Sequence, residues 1–186
     1  DVCSSDLIGA IHNLVRWLEL DKAIDLDLHL LKWHMPYHES EHVLNIAYIP
    51  LWGGTCLQDL ELRRNDEHYL DAIGVDSIPD PTTAGDFCRR FTCSDLFTFI
   101  DIVNETRMKV WAKQPDEFFN CAKIDLDGSI TETTGECKHG MDMSHKGIWG
   151  YHPLIVSLAN TNEVLSLVNR PGNRPSHEGA ASEADR

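Results

Sequence analysis

The spacing of apolar residues changes at Phe118, and this change constrains the fold more than any other feature of the chain. Before Phe118, apolar residues recur every three or four positions, as they do on amphipathic helices. After it, they alternate with polar residues in short runs, which is the period of β-strands. The sequence therefore predicts an α+β protein, with an all-helical region over residues 1–117 and a strand-rich region over residues 118–186.

The all-helical region is predicted to consist of short helices joined by tight turns. The apolar pattern is helical over residues 7–20, over residues 39–51 and over a longer stretch that ends before Pro115. Residues with side-chain oxygens predict where further helices begin. These predicted starts are Thr55, Thr83, Thr92 with Asp95 or else Ser94, and, in the strand-rich region, Ser176.

Two pairs of basic residues lie in the helical region, Arg63 with Arg64 and Arg89 with Arg90. They would contact phosphate if this region were a DNA-binding helix-turn-helix. We favour ion pairs on solvated helix faces instead, because pairs between residues three or four positions apart are common on helices. The acidic neighbours available for such pairs are Glu61, Asp66 and Asp86.

The strand-rich region holds three strand-like runs, at residues 121–130, 149–158 and 164–168. The five residues between the last two runs are too few for a helical crossover, so these strands are predicted to pair antiparallel. A loop with Arg, Gly and Pro follows at residues 169–175, and a helix is expected after it. The region is thus predicted to be a three-stranded meander followed by a helix.

Two carboxylates lie on the first of these strands. Asp125 and Asp127 are two positions apart, so their side chains project from the same face of the strand. Like charges this close favour a cation beside them, and hard oxygen ligands suit Mg²⁺. A solvated strand with two surface acids remains the alternative interpretation of this pair.

Charge is distributed unevenly along the chain, whose net charge is −14. Residues 1–120 carry ten Lys and Arg against 21 Asp and Glu, a net charge of −11, and residues 121–186 carry six against nine, a net charge of −3. An acidic surface repels phosphate over a Debye length of about 8 Å at physiological salt. The strand-rich region is therefore the part better suited to approach DNA.

Location is inferred from segments that the sequence lacks. No apolar run is long enough to cross a bilayer, and no signal-peptide pattern stands at the start. The six cysteines form no Cys-x-x-Cys pair, so we expect reduced thiols in a cytoplasmic protein. Because no initiator Met is present, we expect these 186 residues to be an internal piece of a longer chain.

Several motifs of the strand-rich region are long enough to be specific. They lie at residues 124–129, 135–138, 146–147, 149–154 and 169–180, and two more lie upstream at residues 53–66 and 78–86. Together they resemble the first half of the catalytic domain of a DDE transposase of bacterial insertion sequences, with the helical region that precedes it. The resemblance runs over nearly the whole sequence.

This resemblance implies an RNase H-like core and a metal-dependent reaction on DNA. The family's Asp-Gly/Ser-Thr motif matches Asp127-Gly128-Ser129, with Ser129 in place of the commoner Thr. Asp127 is thereby implied as the first catalytic, metal-binding residue, and Asp125 is a second candidate metal ligand. Two Mg²⁺ or Mn²⁺ ions are implied in the intact enzyme. The family's second Asp and its Glu are expected further along, so these 186 residues alone are expected to be inactive.

Partners are implied in the same way. The reaction acts on double-stranded DNA at the ends of the element and at a target, and the intact enzyme is expected to be a homodimer in the bacterial cytoplasm, at the nucleoid. Contacts to the DNA backbone are expected from basic residues in the loops. These residues are Lys138, Lys146, Arg170 and Arg174.

Two alternative functions remain open on the sequence. Asp125-Leu126-Asp127-Gly128-Ser129 also matches the Asp-x-Asp-Gly-Ser motif of haloacid-dehalogenase-type phosphatases, although a meander is unlike their doubly wound sheet. The other alternative is a non-enzymatic remnant of a transposase that binds DNA or protein. Turnover of para-nitrophenyl phosphate separates the first from a transposase, and mobility shift with element-end DNA tests the second.

Overall fold

A computed structural model describes residues 2–33, 36–135 and 138–185, of which residues 2–4 are described by their backbone alone. The chain divides into two compact units, Asp1–Lys113 and Gln114–Arg186. The boundary predicted from the sequence, between residues 117 and 118, lies a few residues further along. Helix accounts for 49% of the chain and strand for 14%, the strands forming small antiparallel sheets, so the prediction of an α+β protein is confirmed.

The first unit consists of short helices. Its longest helix, α7, spans 19 residues, whereas α4 spans only five. Short 3₁₀ helices at Ile49–Trp52 and Leu57–Asp59 lie between α3 and α4. The bounds of the α-helices are α1 Val2–Trp17, α2 Leu20–Asp27, α3 Glu39–Tyr48, α4 Leu60–Arg64, α5 Glu67–Ile73, α6 Pro81–Cys88 and α7 Cys93–Trp111.

Capping residues place most of these helix starts. The hydroxyl of Thr92 accepts a hydrogen bond from the amide of Asp95 and donates one to its carboxylate, so the predicted capping box of α7 is confirmed. The start predicted at Thr83 is wrong, because the carboxylate of Asp80 accepts from two amides of the first turn and Pro81 occupies the first helical position.

The start predicted at Thr55 is displaced by one residue. Cys56 is the N-cap of the 3₁₀ helix, and Asp59 closes its capping box by accepting from the amides of Thr55 and Cys56. A charged carboxylate at Asp59 is a stronger acceptor for these amides than the neutral side chain of Gln58. The helix therefore begins one residue later than predicted.

Two clusters of buried side chains form the core of the helical unit. One joins α1, α3 and α5 around Ile8, Tyr48 and Tyr69, and the other joins α2, α6 and α7 around Ile24, Phe87 and Ile102. The predicted ion pairs of the basic residues are confirmed. The pairs are Arg63–Asp66, Arg64–Glu61 and Arg89–Asp86, at 2.5, 3.1 and 2.6 Å.

The second unit contains two small sheets. In the first, β1 pairs antiparallel with β5, and β5 pairs antiparallel with β6, so the predicted meander is confirmed. In the second, β4 lies between β2 and β3. The strand bounds are β1 Ile124–Gly128, β2 Thr131–Glu132, β3 Asp142–Met143, β4 Trp149–Tyr151, β5 Leu154–Leu158 and β6 Glu163–Val168.

One predicted strand is interrupted. The run over residues 149–158 divides into β4 and β5 at His152 and Pro153. Proline has no amide hydrogen to donate to a ladder, and the amide of His152 instead donates to the carbonyl oxygen of Arg170 at 2.8 Å. The hairpin formed by the first two runs therefore bends here and spans both sheets.

The last helix begins later than predicted. A 3₁₀ helix, Asp116–Phe119, precedes β1, and α8, Ala180–Ala184, follows β6. The start predicted at Ser176 is wrong, because α8 begins after Gly179, whose φ is +80°. Residues 176–179 form turns. Among the described residues, no helix is both long and apolar enough to span a membrane.

Candidate functional site

The acid pair lies on the exposed face of β1. Asp125 is paired in register with Ser157 of β5, and Asp127 is paired with Ile155. Both carboxylate-bearing residues are exposed, and the amide of Gly128 donates to Oδ1 of Asp127 at 2.7 Å. The alternation of the strand brings the two carboxylates to one face, as the sequence predicts.

On the opposite face of the same sheet, the residues of β5 are buried. Leu154, Val156 and Leu158 of β5 are no more than 5% exposed, and they point to the side away from the acid pair. Glu183 of α8 accepts a hydrogen bond from the hydroxyl of Ser166 on β6 at 2.9 Å. β5 is therefore packed on one side of the sheet, and Asp125 and Asp127 of β1 meet solvent on the other.

Gly128 is the point at which β1 approaches the loop after β6. A Cβ atom built at Gly128 lies 2.5 Å from Nε2 of His152 and 3.1 Å from a guanidinium nitrogen of Arg170. These contacts are on the face opposite to the carboxylate of Asp127, since neighbouring positions of a strand point to opposite sides. A larger residue next to Asp127 would therefore displace the side chains of His152 or Arg170.

Arg170 is turned into the fold. It is 9% exposed, and its Nε donates to the carbonyl oxygen of His152 at 3.0 Å. Its Nη1 donates to the carbonyl oxygens of Pro175, at 3.2 Å, and of Glu178. Arg170 thereby holds the loop that follows β6. Its role as a DNA contact stays a prediction, but in this arrangement the guanidinium faces protein.

The other predicted DNA contacts are exposed. Arg174 forms an ion pair with Glu178 at 2.7 Å, half exposed on both sides. Lys146 lies in the turn between β3 and β4, and Lys138 donates to the hydroxyl of Thr133. Glu136 and Cys137, which complete the motif at residues 135–138, lie outside the described residues. Among the described residues, no hydrogen bond or ion pair joins Lys138, Lys146 and Arg174 to one another. Their contact with DNA stays a prediction.

Two glycines explain why the motifs at residues 149–154 and 169–180 occur together. A Cβ built at Gly150 lies 2.1 Å from the carbonyl oxygen of Thr131, and one built at Gly172 lies 2.3 Å from that of Asp142. The amide of Gly172 donates to the carbonyl oxygen of Gly150 at 3.1 Å. The two motifs are therefore held backbone to backbone.

The donor set of the acid pair fits a hard divalent cation. Two exposed carboxylates on one strand face offer only oxygen ligands, as Mg²⁺ and Mn²⁺ prefer. Among the described residues, three side chains whose potential ligand atoms all lie within 4.8 Å of one another are found elsewhere, at Asp25, His38 and Glu39. A site at the acid pair would thus need further ligands from water, DNA or other residues.

The two carboxylates of the cluster at Asp25, His38 and Glu39 already have hydrogen-bond donors from the protein. Both oxygens of Asp25 accept from Ser40, from its amide at 2.8 Å and its hydroxyl at 2.9 Å. Oε1 of buried Glu39 accepts from two backbone amides at 3.0 and 2.9 Å. These carboxylates therefore already serve the start of α3 and the turn after α2.

The sequence interpretation missed His12. It is 8% exposed in the first unit, where its Nδ1 lies 2.9 Å from the hydroxyl of Tyr48. The signal was present, because His12 follows Ile8 by one helical turn and so falls within the apolar stripe of α1.

Comparisons with known proteins add no further assignment. No protein-family model, no curated protein and no solved structure matches this chain.

Proposed function

We propose that the second unit is the first part of an RNase H-like catalytic domain, from a DDE transposase of bacterial insertion sequences. The activity proposed for the complete protein is metal-dependent cleavage and transfer of DNA strands at the ends of the element. One observation carries the proposal. Asp125 and Asp127 share the exposed face of the first strand of an antiparallel meander.

The order of the elements supports this proposal. Such a core is expected to begin with three strands paired in chain order and then a helix. The sheet β1-β5-β6 has this order, and α8 follows it. The haloacid-dehalogenase-type alternative expects parallel strands joined by helical crossovers, and the strands described here pair antiparallel.

In this proposal Asp127 and Asp125 hold Mg²⁺ or Mn²⁺. When bound, the ions supply charge stabilisation at the attacking and leaving oxygens of a phosphodiester. The role of the carboxylates is to fix the position of that charge on the exposed face of β1. A second Asp and a Glu from further along the protein are expected to complete the ligand set.

DNA is the proposed partner of the face that carries the acid pair. Exposed Lys138, Lys146 and Arg174 are the proposed contacts to its phosphates, because phosphate contacts position a protein without reading sequence. Arg170 is instead proposed to position the loop that carries Arg174, since its guanidinium is bound to carbonyl oxygens of that loop. The complete protein is proposed to act as a homodimer in the bacterial cytoplasm.

Duplex binding with and without Mg²⁺ tests the proposal on this chain. The affinity for a labelled DNA duplex is measured in Mg²⁺ and in EDTA, at several salt concentrations. A metal ion shared between the acid pair and phosphate should strengthen binding in Mg²⁺. Asp127→Asn should abolish this gain and leave the salt-dependent part of the binding intact.

A matched variant controls for charge. Glu105→Gln removes the same charge from an exposed position of α7 and should keep the full gain from Mg²⁺. An equal response of the wild type, Asp127→Asn and Glu105→Gln to Mg²⁺ would overturn the metal-dependent function. Turnover of para-nitrophenyl phosphate that depends on Asp125 would favour the phosphatase. Metal-independent binding to element-end DNA above that to random duplex would favour the non-enzymatic remnant.

A further inference from the structure

One cavity of the helical unit is lined by cations, although the unit is acidic. The cavity has a volume of about 310 Å³ and is lined by the segment that follows α2, by α3, and by residues in and just after α6. Its described lining includes Lys32 and Arg90 and contains no Asp or Glu. Residues 1–120, in contrast, carry a net charge of −11. The charge of this wall therefore suits an anion.

Arg90 differs from the other three arginines of the two basic pairs. Arg63, Arg64 and Arg89 are each ion-paired with a carboxylate, whereas Arg90 forms no ion pair among the described residues. Its guanidinium makes one described hydrogen bond, from Nη1 to the carbonyl oxygen of Leu30 at 3.5 Å, which is long for such a bond. Arg90 is exposed, so its other N–H groups remain available to a ligand.

Lys32 supplies a second cation at the same cavity. It is exposed and has no hydrogen bond or ion pair within the described part of the chain. The carboxylates whose charge acts on His42 in the wall, Glu39 and Asp80, are each already bound to two backbone amides. Two cations without a carboxylate partner match a phosphomonoester, whose charge near pH 7 is about −1.5 to −2.

Trp33 supplies a flat apolar surface beside these cations. It is 83% exposed, the largest value among the described large apolar residues. Tyr37 lies in the same wall in a fixed orientation, because its hydroxyl donates to the carbonyl oxygen of Ile78 at 2.9 Å and its ring meets that of His42 edge to face. Aromatic side chains of this kind stack on nucleobases of any sequence. The cavity thus combines a stacking surface with two cations.

We propose that this cavity binds a phosphomonoester joined to a planar aromatic ring, as in a nucleoside 5′-monophosphate. The phosphate oxygens accept hydrogen bonds from Arg90 and Lys32, and the ring stacks on Trp33. Arginine suits this role because its guanidinium can donate to two phosphate oxygens at once. The volume lies at the lower end of the range of ligand sites, ~300–1,000 Å³, and so favours a single nucleotide. A free nucleotide and the 5′-phosphorylated end of a DNA strand both present this chemistry.

Calorimetric titration of the full chain in EDTA tests this proposal with three probes. Adenosine 5′-monophosphate carries the phosphate and the ring, adenosine carries only the ring, and inorganic phosphate carries only the anion. EDTA removes divalent ions, so a metal-bridged contact at the acid pair cannot contribute. Adenosine 5′-monophosphate should bind one per chain, at least about tenfold more tightly than either partial probe, and should shift the indole NMR signal of Trp33.

Two adjacent arginines provide matched variants. Arg90→Met should weaken the binding of adenosine 5′-monophosphate at least about tenfold, the value of one charged hydrogen bond. Arg89→Met makes the identical change at a cation that is paired with Asp86 and is absent from the described lining, so binding should stay unchanged. Trp33→Ala should weaken the nucleotide by about tenfold and leave the binding of inorganic phosphate unchanged.

Single-stranded oligonucleotides identify the source of the ligand. Binding of a 5′-phosphorylated strand as tight as that of the nucleotide, and lost with a 5′-hydroxyl, would identify a strand end; binding of the nucleotide alone would identify a free nucleotide. The proposal would be overturned if adenosine 5′-monophosphate did not bind, if either partial probe bound equally well, or if Arg90→Met and Arg89→Met had equal effects. These results depend neither on a divalent ion nor on Asp127, so they are distinct from the test of the proposed function.

Discussion

His152 and Arg170 are joined by two hydrogen bonds that run in opposite directions. The amide of His152 donates to the carbonyl oxygen of Arg170 at 2.8 Å, and Nε of Arg170 donates to the carbonyl oxygen of His152 at 3.0 Å. Nδ1 of His152 also lies 2.5 Å from the carbonyl oxygen of Arg174. This junction fixes the bend between β4 and β5 and the loop after β6, directly behind Gly128.

Arg170→Met is expected to destabilise the second unit by about 3 kcal/mol. The change leaves the carbonyl oxygens of His152, Pro175 and Glu178 without their charged donor. Urea unfolding followed by the amide signals of β5 measures this loss. Arg174→Met is the matched control and should change the free energy of unfolding by less than about 0.5 kcal/mol, because its ion pair is exposed. Equal effects would contradict the structural role given to Arg170.

Gly128→Ala is expected to lower the free energy of unfolding of the second unit by about 2 kcal/mol, because the added methyl group would lie 2.5 Å from Nε2 of buried His152. Gly85→Ala provides the contrasting case. A Cβ at Gly85, inside α6, meets its nearest atoms at 3.7 and 3.8 Å, so this change should stabilise the first unit by about 0.5–1 kcal/mol. Thermal unfolding should show a lower melting temperature for Gly128→Ala and a higher one for Gly85→Ala than for the wild type. A neutral Gly128→Ala would show that the junction does not need a glycine.

Asp80→Ala is expected to lower the stability of the first unit by about 1 kcal/mol, because the amides of Thr82 and Thr83 would lose their acceptor. Thr83→Ala removes a hydroxyl that also donates to Asp80 but leaves both backbone bonds in place, so its cost should be smaller. Circular dichroism at 222 nm during urea unfolding measures the difference. A larger cost for Thr83→Ala would restore Thr83 as the residue that begins α6.

Acidification is expected to destabilise the first unit. Burial lowers the pKa of His12 and of His42 in the folded state. Between these lowered values and the ordinary histidine value near 6.5, the unfolded chain binds more protons, so stability falls as the pH falls below about 6.5. The charges that act on these rings are Arg16 and Asp21 for His12, and Glu39, Arg90 and Asp80 for His42.

Urea unfolding at pH 7.5 and pH 5.5 measures this dependence. His42→Phe keeps an aromatic ring stacked on Phe87, 4.5 Å away between centroids, and removes one titrating group. The variant should therefore lose part of the pH dependence between these two values. An unchanged dependence, or wild-type stability that rises on acidification, would contradict the assignment.

Short-range sequence patterns were enough to predict the common face of the acid pair and one helix start. The positions of Arg170 and His12 depend on contacts between residues far apart in sequence. The common face of Asp125 and Asp127 follows from a period of two residues, and the capping box of Thr92 and Asp95 follows from a spacing of three. The inward position of Arg170 depends on carbonyl oxygens up to 18 residues away in sequence, which no local pattern contains. The same holds for His12, whose partner Tyr48 lies on another helix.

In the proposed function, Asp127 together with Asp125 holds a divalent ion. Mn²⁺ tests it most directly, because a bound paramagnetic ion broadens the NMR signals of nearby nuclei. The wild type should lose the amide signals of Leu126 and Gly128 at low Mn²⁺ concentration, and Mg²⁺ in excess should restore them. Asp127→Asn should keep these signals, while Glu105→Gln should behave as the wild type. Equal broadening in Asp127→Asn, or none in the wild type, would contradict the account.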